Sequence, residues 1–201
     1  MSDIPGNEAV LRDMLECAVG VARQLDRRGQ AFGPDANISF AFDGRVYITR
    51  EECGLFTIGP GDFACVDTSG RPLDNLSACT ELVLHLALYR QRDGLGAAIH
   101  AHSTFATLWS CLEHPRPLDT IPARTPHLHA RVGSVPIIPC PLPQDSDSPD
   151  ALPLHMNGSM AYLLKNHGVI AGGRDITDAY YNLCQIEESA KLAWIMKSVT
   201  G

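Results

Sequence analysis

The sequence lacks the features that would direct a protein into a membrane or out of the cell. Its 201 residues include no apolar run long enough to span a bilayer. The opening segment, Met1 to Pro5, has an acidic residue rather than basic ones and no apolar core of the kind found in secretory signals. Apolar residues at 45% and charged residues at 19% are typical of soluble globular proteins. We therefore predict a cytoplasmic protein with no membrane partner.

Clusters of positive charge are also missing. The 16 Lys and Arg residues are scattered, and the net charge at pH 7 is -7. Proteins that bind nucleic acid usually present a basic patch that neutralises phosphates. The sequence therefore predicts no nucleic-acid partner.

Paired cysteines are missing as well. Seven cysteines, an odd number, lie far apart and form no C-x-x-C pair. This pattern indicates neither a disulfide framework nor a zinc ribbon. We predict that they are small buried side chains in a protein of a reducing compartment.

The length predicts one domain, spanning residues 1–201, with a sizeable core. Apolar residues at helical spacing predict an opening helix from Val10 to Leu25 and helices over 77–90, 105–112 and 175–197, with a further helix through Met160, Leu163 and Leu164. Alternating or short apolar runs predict strands at 37–42, 45–49, 63–66, 95–99, 135–138 and 169–171, whereas 139–153 is expected to be irregular. These patterns predict an α/β fold.

Two histidines suggest a metal site. His100 and His102 stand two residues apart at the end of a predicted strand, where alternate side chains point to the same face. Neutral imidazole suits zinc and neighbouring transition metals, and catalytic zinc commonly takes three protein ligands. A lone H-x-H pair is weak evidence, because histidines are often simply exposed or packed in a core. A third ligand is therefore required.

Four segments, in order along the chain, resemble the class II aldolase/adducin family. Glu81, nineteen residues before His100, lies where the family places its catalytic acid, and Glu187 matches a glutamate of its last helix. Asn37-Ile-Ser39 resembles the family's asparagine-serine strand, and Tyr47-Ile-Thr49 resembles the strand after it. Ala98-Ile-His-Ala-His-Ser103 resembles the H-x-H strand, and Leu163-Leu-Lys-Asn-His-Gly-Val-Ile170 resembles the asparagine-histidine-glycine strand.

The resemblance implies a single-domain fold with a mixed, largely antiparallel central sheet flanked by helices. It also implies that His100, His102 and His167 bind Zn²⁺ or another divalent transition metal. Glu81 would then transfer protons while the metal stabilises an enediolate of a small hydroxy-carbonyl substrate. A homo-oligomer, with a tetramer as the expected form, is implied too. The substrate-binding residues expected from the resemblance are Asn37, Ser39, Thr49, Gly54 and Thr80.

The sequence departs from the family in the loop that the resemblance assigns to phosphate. A threonine-proline-serine/threonine-glycine loop is replaced by Thr49-Arg-Glu-Glu-Cys-Gly54. The carboxylates of Glu51 and Glu52 would disfavour a phosphate there, although Arg50 could offset them. We therefore predict a preference for non-phosphorylated substrates.

Three functions are compatible with these residues. An aldolase-like lyase is the leading hypothesis, but a metal-dependent decarboxylase or dehydratase of the same family would use the same residues. A non-catalytic scaffold resembling adducin is a third possibility, disfavoured because three potential ligands and an acid remain in register. A second H-x-H pair, His127 and His129, is interpreted as part of a loop or interface, and His85 is expected to pack or hydrogen-bond near Glu81.

Overall fold

The structure is a computed structural model that describes residues 5–140 and 155–200. Its helices and strands, in chain order, are α1 (Pro5–Arg27), β1 (Asn37–Phe42), β2 (Arg45–Thr49), β3 (Phe63–Asp67), α2 (Leu82–Gln91), β4 (Ala97–Ala101), α3 (Thr104–Ser110), α4 (His127–Arg131), β5 (Ile137–Ile138), β6 (Ala161–Leu164), β7 (Gly168–Gly173) and α5 (Ile176–Thr200), with a short 3₁₀ turn at Pro60–Asp62. Among these described segments, no helix is both long and apolar enough to cross a membrane.

The strands form one seven-stranded sheet in the order β3-β2-β1-β4-β7-β6-β5. Neighbouring strands are antiparallel except β5 and β6, which are parallel. The hairpin of β1 and β2 turns at Asp43 and Gly44, both with positive φ, as expected of a tight two-residue turn. The predicted mixed, largely antiparallel sheet with flanking helices is confirmed.

Side chains of β4 alternate between the apolar clusters on the two faces of the sheet, and this alternation determines the face on which His100 lies. Ala97, Ile99 and Ala101 pack against α1, α3 and α5, whereas Ala98 packs with residues of α2 on the opposite face. Because strand side chains alternate with a period of two, His100 lies on the same face as Ala98. The register of β1 against β4 sets Asn37 opposite His100. The α2 side of the sheet therefore receives both polar residues.

One predicted helix is wrong. The segment through Met160, Leu163 and Leu164 contains strand β6, not a helix. All four residues of β6 are fully buried, so apolar residues occupy both faces and the period of two is hidden in the sequence. The parallel partner β5 is also shorter than predicted.

Two further boundaries differ from the predictions. Helix α2 begins at Leu82 rather than Ser77, because the preceding residues extend along β2: Arg50 and Ala78 form a β-bridge, and Cys79 N donates to Thr49 O. Most of the segment predicted to be irregular, residues 141–153, lies outside the described residues.

Candidate metal centre

Strand β4 and the residue after it position two imidazoles. His100 is fully buried, and its Nδ1 donates to the carbonyl oxygen of Val169 at 3.0 Å. Since a carbonyl only accepts, this bond places the proton on Nδ1 and leaves a lone pair on Nε2. His102 follows the end of β4, and the Nε2 atoms of the two rings lie 3.0 Å apart. Both rings therefore direct Nε2 toward one point.

The third imidazole comes from the tight turn between β6 and β7. Asn166 has a φ of 58°, a left-handed conformation that asparagine tolerates better than most residues. A Cβ atom at Gly168 would lie 2.7 Å from Ala101 O and 2.9 Å from His102 Cδ2. Only glycine therefore lets β7 start this close to His102. These contacts give a physical reason for the asparagine-histidine-glycine sequence around His167.

The three rings and one carboxylate form a compact cluster. The ring centroids lie 4.9 Å apart for His100 and His102, 4.8 Å for His100 and His167, and 4.6 Å for His102 and His167. Glu81, at the N-terminal end of α2, places its Oε1 3.4 Å from His100 Nε2 and 3.3 Å from His167 Nε2. One ligand atom from each of the four residues lies within 4.8 Å of the others. The structure therefore brings together the four residues predicted for the site.

Burial controls the electrostatics of the cluster. It is the largest cause of the lowered pKa of each imidazole, and the pKa of fully buried His100 is well below its ordinary value. Burial also raises the pKa of Glu81, against the opposing effects of a hydrogen bond from Asn37 and the nearby His167. Neutral imidazole is the form that binds metals, and a carboxyl group with a raised pKa suits proton transfer.

The donor set fits a divalent transition metal. The Nε2 atoms of His100 and His102 lie 3.0 Å apart, and two ring nitrogens at this separation need a proton or a cation between them. Three imidazoles with a nearby carboxylate suit zinc and neighbouring metals, whereas Mg²⁺ and Ca²⁺ prefer oxygen ligands. His100, His102 and His167 are the residues that would hold the ion, and Glu81 lies beside them.

A match to a family model shows which protein family the chain belongs to. The model, described as Class II Aldolase and Adducin N-terminal domain, matches residues 17–194. The chain belongs to the class II aldolase and adducin family. Family members are metal-dependent, in agreement with the donor set, although the identity of the metal in this chain is not established.

Relatives within the class II aldolase and adducin family have two kinds of named activity. The chain is 32% identical over 197 residues to 3-oxo-tetronate 4-phosphate decarboxylase of Escherichia coli K12, covering 98% of this chain and 92% of the relative. It is 29% identical over 185 residues to L-fuculose phosphate aldolase of Methanococcus maripaludis strain S2, covering 90% and 96%. Both relatives are lyases of small sugar-derived phosphates by name.

A solved structure of the family has the same fold. YgbL of Escherichia coli, described as a candidate aldolase, epimerase or decarboxylase, aligns with a TM-score of 0.87 and 31% identity. The alignment covers 93% of this chain and 91% of YgbL. The likeness supports the family fold, while the range of activities leaves the reaction of this chain to be argued from its site.

The predicted substrate-binding residues fall into two groups. Asn37, Ser39 and Thr49 are almost fully buried, and each makes hydrogen bonds inside the protein. Gly54 is half-buried in the loop after β2, and Thr80 is exposed in the turn before α2. The structure therefore places Ser39 and Thr49 where they support neighbouring residues, and the substrate-binding role of all five remains a prediction.

The loop after β2 borders an acidic cavity. A cavity of about 410 Å³ is lined by Glu51, Glu52, Arg50 and residues 75–77. Arg50 Nε donates to Asp62 Oδ1 at 2.8 Å, so its charge is paired within the loop. Glu51 and Glu52 are exposed. Arg50 therefore offsets these carboxylates less than the sequence suggested.

Two further residues support the cluster. His85 is fully buried and bonds to Ser39 and Asn37, which confirms the expectation that it packs or hydrogen-bonds near Glu81. The carboxylate of Glu187 accepts hydrogen bonds from the main-chain N–H groups of Phe105 and Ala106 at 2.8 to 3.1 Å. Glu187 thus stabilises the start of α3, next to His102. The side chain of Ser103, the N-cap residue of α3, makes no capping hydrogen bond, so Glu187 performs this role.

Proposed function

We propose that the chain is a metal-dependent carbon–carbon lyase that decarboxylates a small 3-oxo acid with a hydroxyl group on the carbon between its carbonyl and carboxylate. The observation on which this rests is that Glu81 Oε1 lies within 3.4 Å of the Nε2 atoms of His100 and His167. A carboxyl group beside a metal-binding set can transfer a proton to a substrate held there. A divalent ion at the three imidazoles supplies Lewis acidity that stabilises negative charge developing on a substrate oxygen.

Decarboxylation needs only one proton transfer to carbon. The bond between the carboxylate and its neighbouring carbon breaks, CO₂ leaves, and the electron pair moves into the adjacent carbonyl to form an enediolate. A proton from the Glu81 carboxyl group then adds to the carbon, giving a hydroxy ketone, and solvent returns the proton to Glu81. Burial raises the pKa of Glu81 above its ordinary value, and a carboxyl group in such surroundings is suited to proton transfer.

Aldol cleavage, the leading hypothesis from sequence, is the second candidate. It requires a base to take the proton of the substrate hydroxyl as well as an acid to protonate the enediolate. Among the residues that the structure describes, the group of potential ligand atoms includes one carboxylate, that of Glu81. This favours decarboxylation, as does the similarity to 3-oxo-tetronate 4-phosphate decarboxylases over 98% of the chain. Similarity to L-fuculose phosphate aldolases keeps aldol cleavage in consideration.

A direct assay separates the two candidates. Zinc-loaded protein is incubated with 3-oxo-tetronate, with its 4-phosphate and with L-fuculose 1-phosphate, while CO₂ and aldehyde release are measured. We expect CO₂ from a 3-oxo acid and little turnover of the aldol substrate. Faster aldehyde release would establish the aldolase instead. No turnover of any of the three, in protein that retains metal, would favour a dehydratase or a scaffold.

Assembly and location are proposals as well. We propose a homo-oligomer, with a tetramer expected, in the cytoplasm. Four apolar residues of α5, Leu183, Ile186, Ala190 and Ala193, are buried in the core of the same chain and cannot contact a second copy. Exposed apolar side chains on α5, including Tyr181, Ile195 and Val199, are better placed to contact a second copy. Light scattering that detects only monomer at micromolar concentration would contradict this proposal.

A further inference from the structure

Behind Glu81 lies an unbroken series of hydrogen bonds that the proposed reaction has not used. Asn37 Nδ2 lies 2.5 Å from Glu81 Oε2, and Asn37 Oδ1 lies 2.5 Å from His85 Nε2. On the far side of the imidazole, His85 Nδ1 lies 2.7 Å from Ser39 Oγ, which in turn lies 2.8 Å from Tyr89 OH. Ser39 and His85 are fully buried and Asn37 is 4% exposed. The three middle members of the series are therefore shielded from solvent, while Glu81 and Tyr89 at its ends are half-buried.

The donors and acceptors of this series allow only two directions. If Glu81 is ionised, or protonated on Oε1, Oε2 accepts from the Asn37 amide nitrogen and Asn37 Oδ1 accepts from His85 Nε2–H. His85 Nδ1 then accepts from Ser39, and Ser39 accepts from Tyr89. If the proton of Glu81 is instead on Oε2, the amide must turn over, and His85 must become the Nδ1–H tautomer. The tautomer of His85 thus reports whether Glu81 Oε2 accepts from Asn37 or donates to it.

The orientation of the Asn37 amide corresponds to the first direction, because its Nδ2 faces Glu81 Oε2 and its Oδ1 faces His85 Nε2. Burial lowers the pKa of His85 to about 3, so its ring is neutral and has one donor and one acceptor nitrogen. Burial raises the pKa of the Tyr89 hydroxyl group at the far end, so this group keeps its proton and can donate to Ser39. Each of the four bonds then has one donor and one acceptor, which is the arrangement that buried polar groups require.

We propose that His85 is a positioning residue for Glu81: through the Asn37 amide it holds Oε2 as an acceptor, so that Oε1 is the oxygen that exchanges protons with the substrate. Oε1 is the atom that faces the imidazoles, at 3.4 Å from His100 Nε2 and 3.3 Å from His167 Nε2. The inference rests on the proposed function, in which Glu81 transfers protons. It adds which oxygen does so and which residues fix that choice.

The decisive experiment is nuclear magnetic resonance of zinc-loaded protein labelled with ¹⁵N in its histidine rings. Two-bond correlations distinguish a protonated ring nitrogen from one with a free lone pair, and the ring of His85 is assigned through its own backbone resonances. We expect a proton on Nε2 and none on Nδ1. A proton on Nδ1, or on both nitrogens, would overturn the proposal. This readout requires neither a substrate nor a variant.

Two variants test the effect on catalysis. Glutamine can place an amide nitrogen near the position of imidazole Nε2, whereas leucine has no donor. We expect His85→Leu to lower kcat at least tenfold, a part of the roughly 10²–10⁴ that general acid–base catalysis contributes. KM and zinc content should stay near the wild-type values, and His85→Gln should recover most of kcat. Folded His85→Leu with wild-type kcat, or no recovery in His85→Gln, would overturn the proposal.

The failure of this inference is distinguishable from that of the proposed function. If Glu81→Gln turns over substrate as fast as the wild type, Glu81 is not the proton donor, and both the proposed function and the positioning role of His85 are wrong. If Glu81→Gln is impaired but His85 is the Nδ1–H tautomer, the proposed function stands and only the positioning role of His85 is wrong.

Discussion

The imidazole cluster and the loop after β2 flank the same β1–β2 hairpin but have opposite character. In the cluster, burial lowers the pKa of each imidazole, and the ligand atoms of the four residues lie within 4.8 Å of one another. In the loop, Glu51 and Glu52 are exposed, and Arg50 is paired with Asp62. The cluster agrees with the residues that the family resemblance implies, whereas the loop departs from the family pattern. We infer that the first region determines the class of reaction and the second the choice of substrate.

The largest expected effect is loss of metal from the cluster. His167→Ala removes one of three imidazole ligands, so metal affinity should fall by more than the roughly 10–100-fold that loss of an outer partner of a ligand costs. Elemental analysis after dialysis measures this directly, with wild-type protein reloaded with zinc for reference. The matched control is His127→Ala, which changes an exposed histidine of α4. Equal metal content in the two variants would show that His167 is not a metal ligand.

Glu81→Gln should separate chemistry from metal binding. The amide keeps the shape of the carboxylate and can still pair with Asn37, but it cannot donate a carboxyl proton. We expect wild-type zinc content and a fall in kcat of about 10²–10⁴. Steady-state assays of CO₂ release measure this effect, and unchanged kcat would show that another group transfers the proton.

The loop is tested by matched substrates. If Glu51 and Glu52 face the end of the substrate that a phosphate would occupy, their carboxylates should repel a dianion, and 3-oxo-tetronate should be preferred to its 4-phosphate. Replacing both with glutamine should shift kcat/KM toward the phosphorylated member. A wild-type preference of tenfold or more for the phosphate, about 1.4 kcal/mol, would mean that the loop is not the discriminating region.

That prediction conflicts with the names of the relatives. The decarboxylases and aldolases to which the chain is similar are named for phosphorylated substrates. If this chain also prefers a phosphate, Arg50 becomes the first residue to examine, since release from Asp62 would free its charge. The comparison of substrates is therefore informative in both directions.

The smallest expected effect concerns the support of the cluster. Glu187→Ala removes the carboxylate that accepts from the first N–H groups of α3, directly after His102. Loss of such a cap should lower the free energy of unfolding by about 1–2 kcal/mol. Chemical denaturation measures this value, and Glu188→Ala, at the exposed neighbouring position, should change it by less than about 0.5 kcal/mol. Equal values for the two variants would contradict the capping role.

Residue patterns predicted the elements that place the cluster because those elements have strong local signals. The short segments on either side of Asp43 and Gly44 predicted β1 and β2, and the apolar run before His100 predicted β4. Strand β6 was mistaken for a helix because its four buried residues have no polar alternation. Its strand character depends on pairing with β5 and β7, which is not visible in a single segment.

The supporting residues of the cluster were harder to predict than its four members. The link from His85 to Asn37 and Ser39 spans 46 to 48 residues and depends on the face of β1 that α2 covers. A signal did exist, because Asn37 and Ser39 are two apart on a strand and His85 is four after Glu81 on a helix. Those spacings define faces but do not reveal which faces meet. Glu187 likewise became a cap only when α5 packed against α3.

The most direct test of the account is the position of the metal. Crystals grown with zinc, measured at the zinc absorption edge, should give one strong anomalous peak per chain at about 2.0–2.1 Å from the Nε2 atoms of His100, His102 and His167. The cluster geometry predicts this peak because all three nitrogens point to one place. A fully loaded crystal with zinc elsewhere, or with no peak at the three imidazoles, would contradict the central claim.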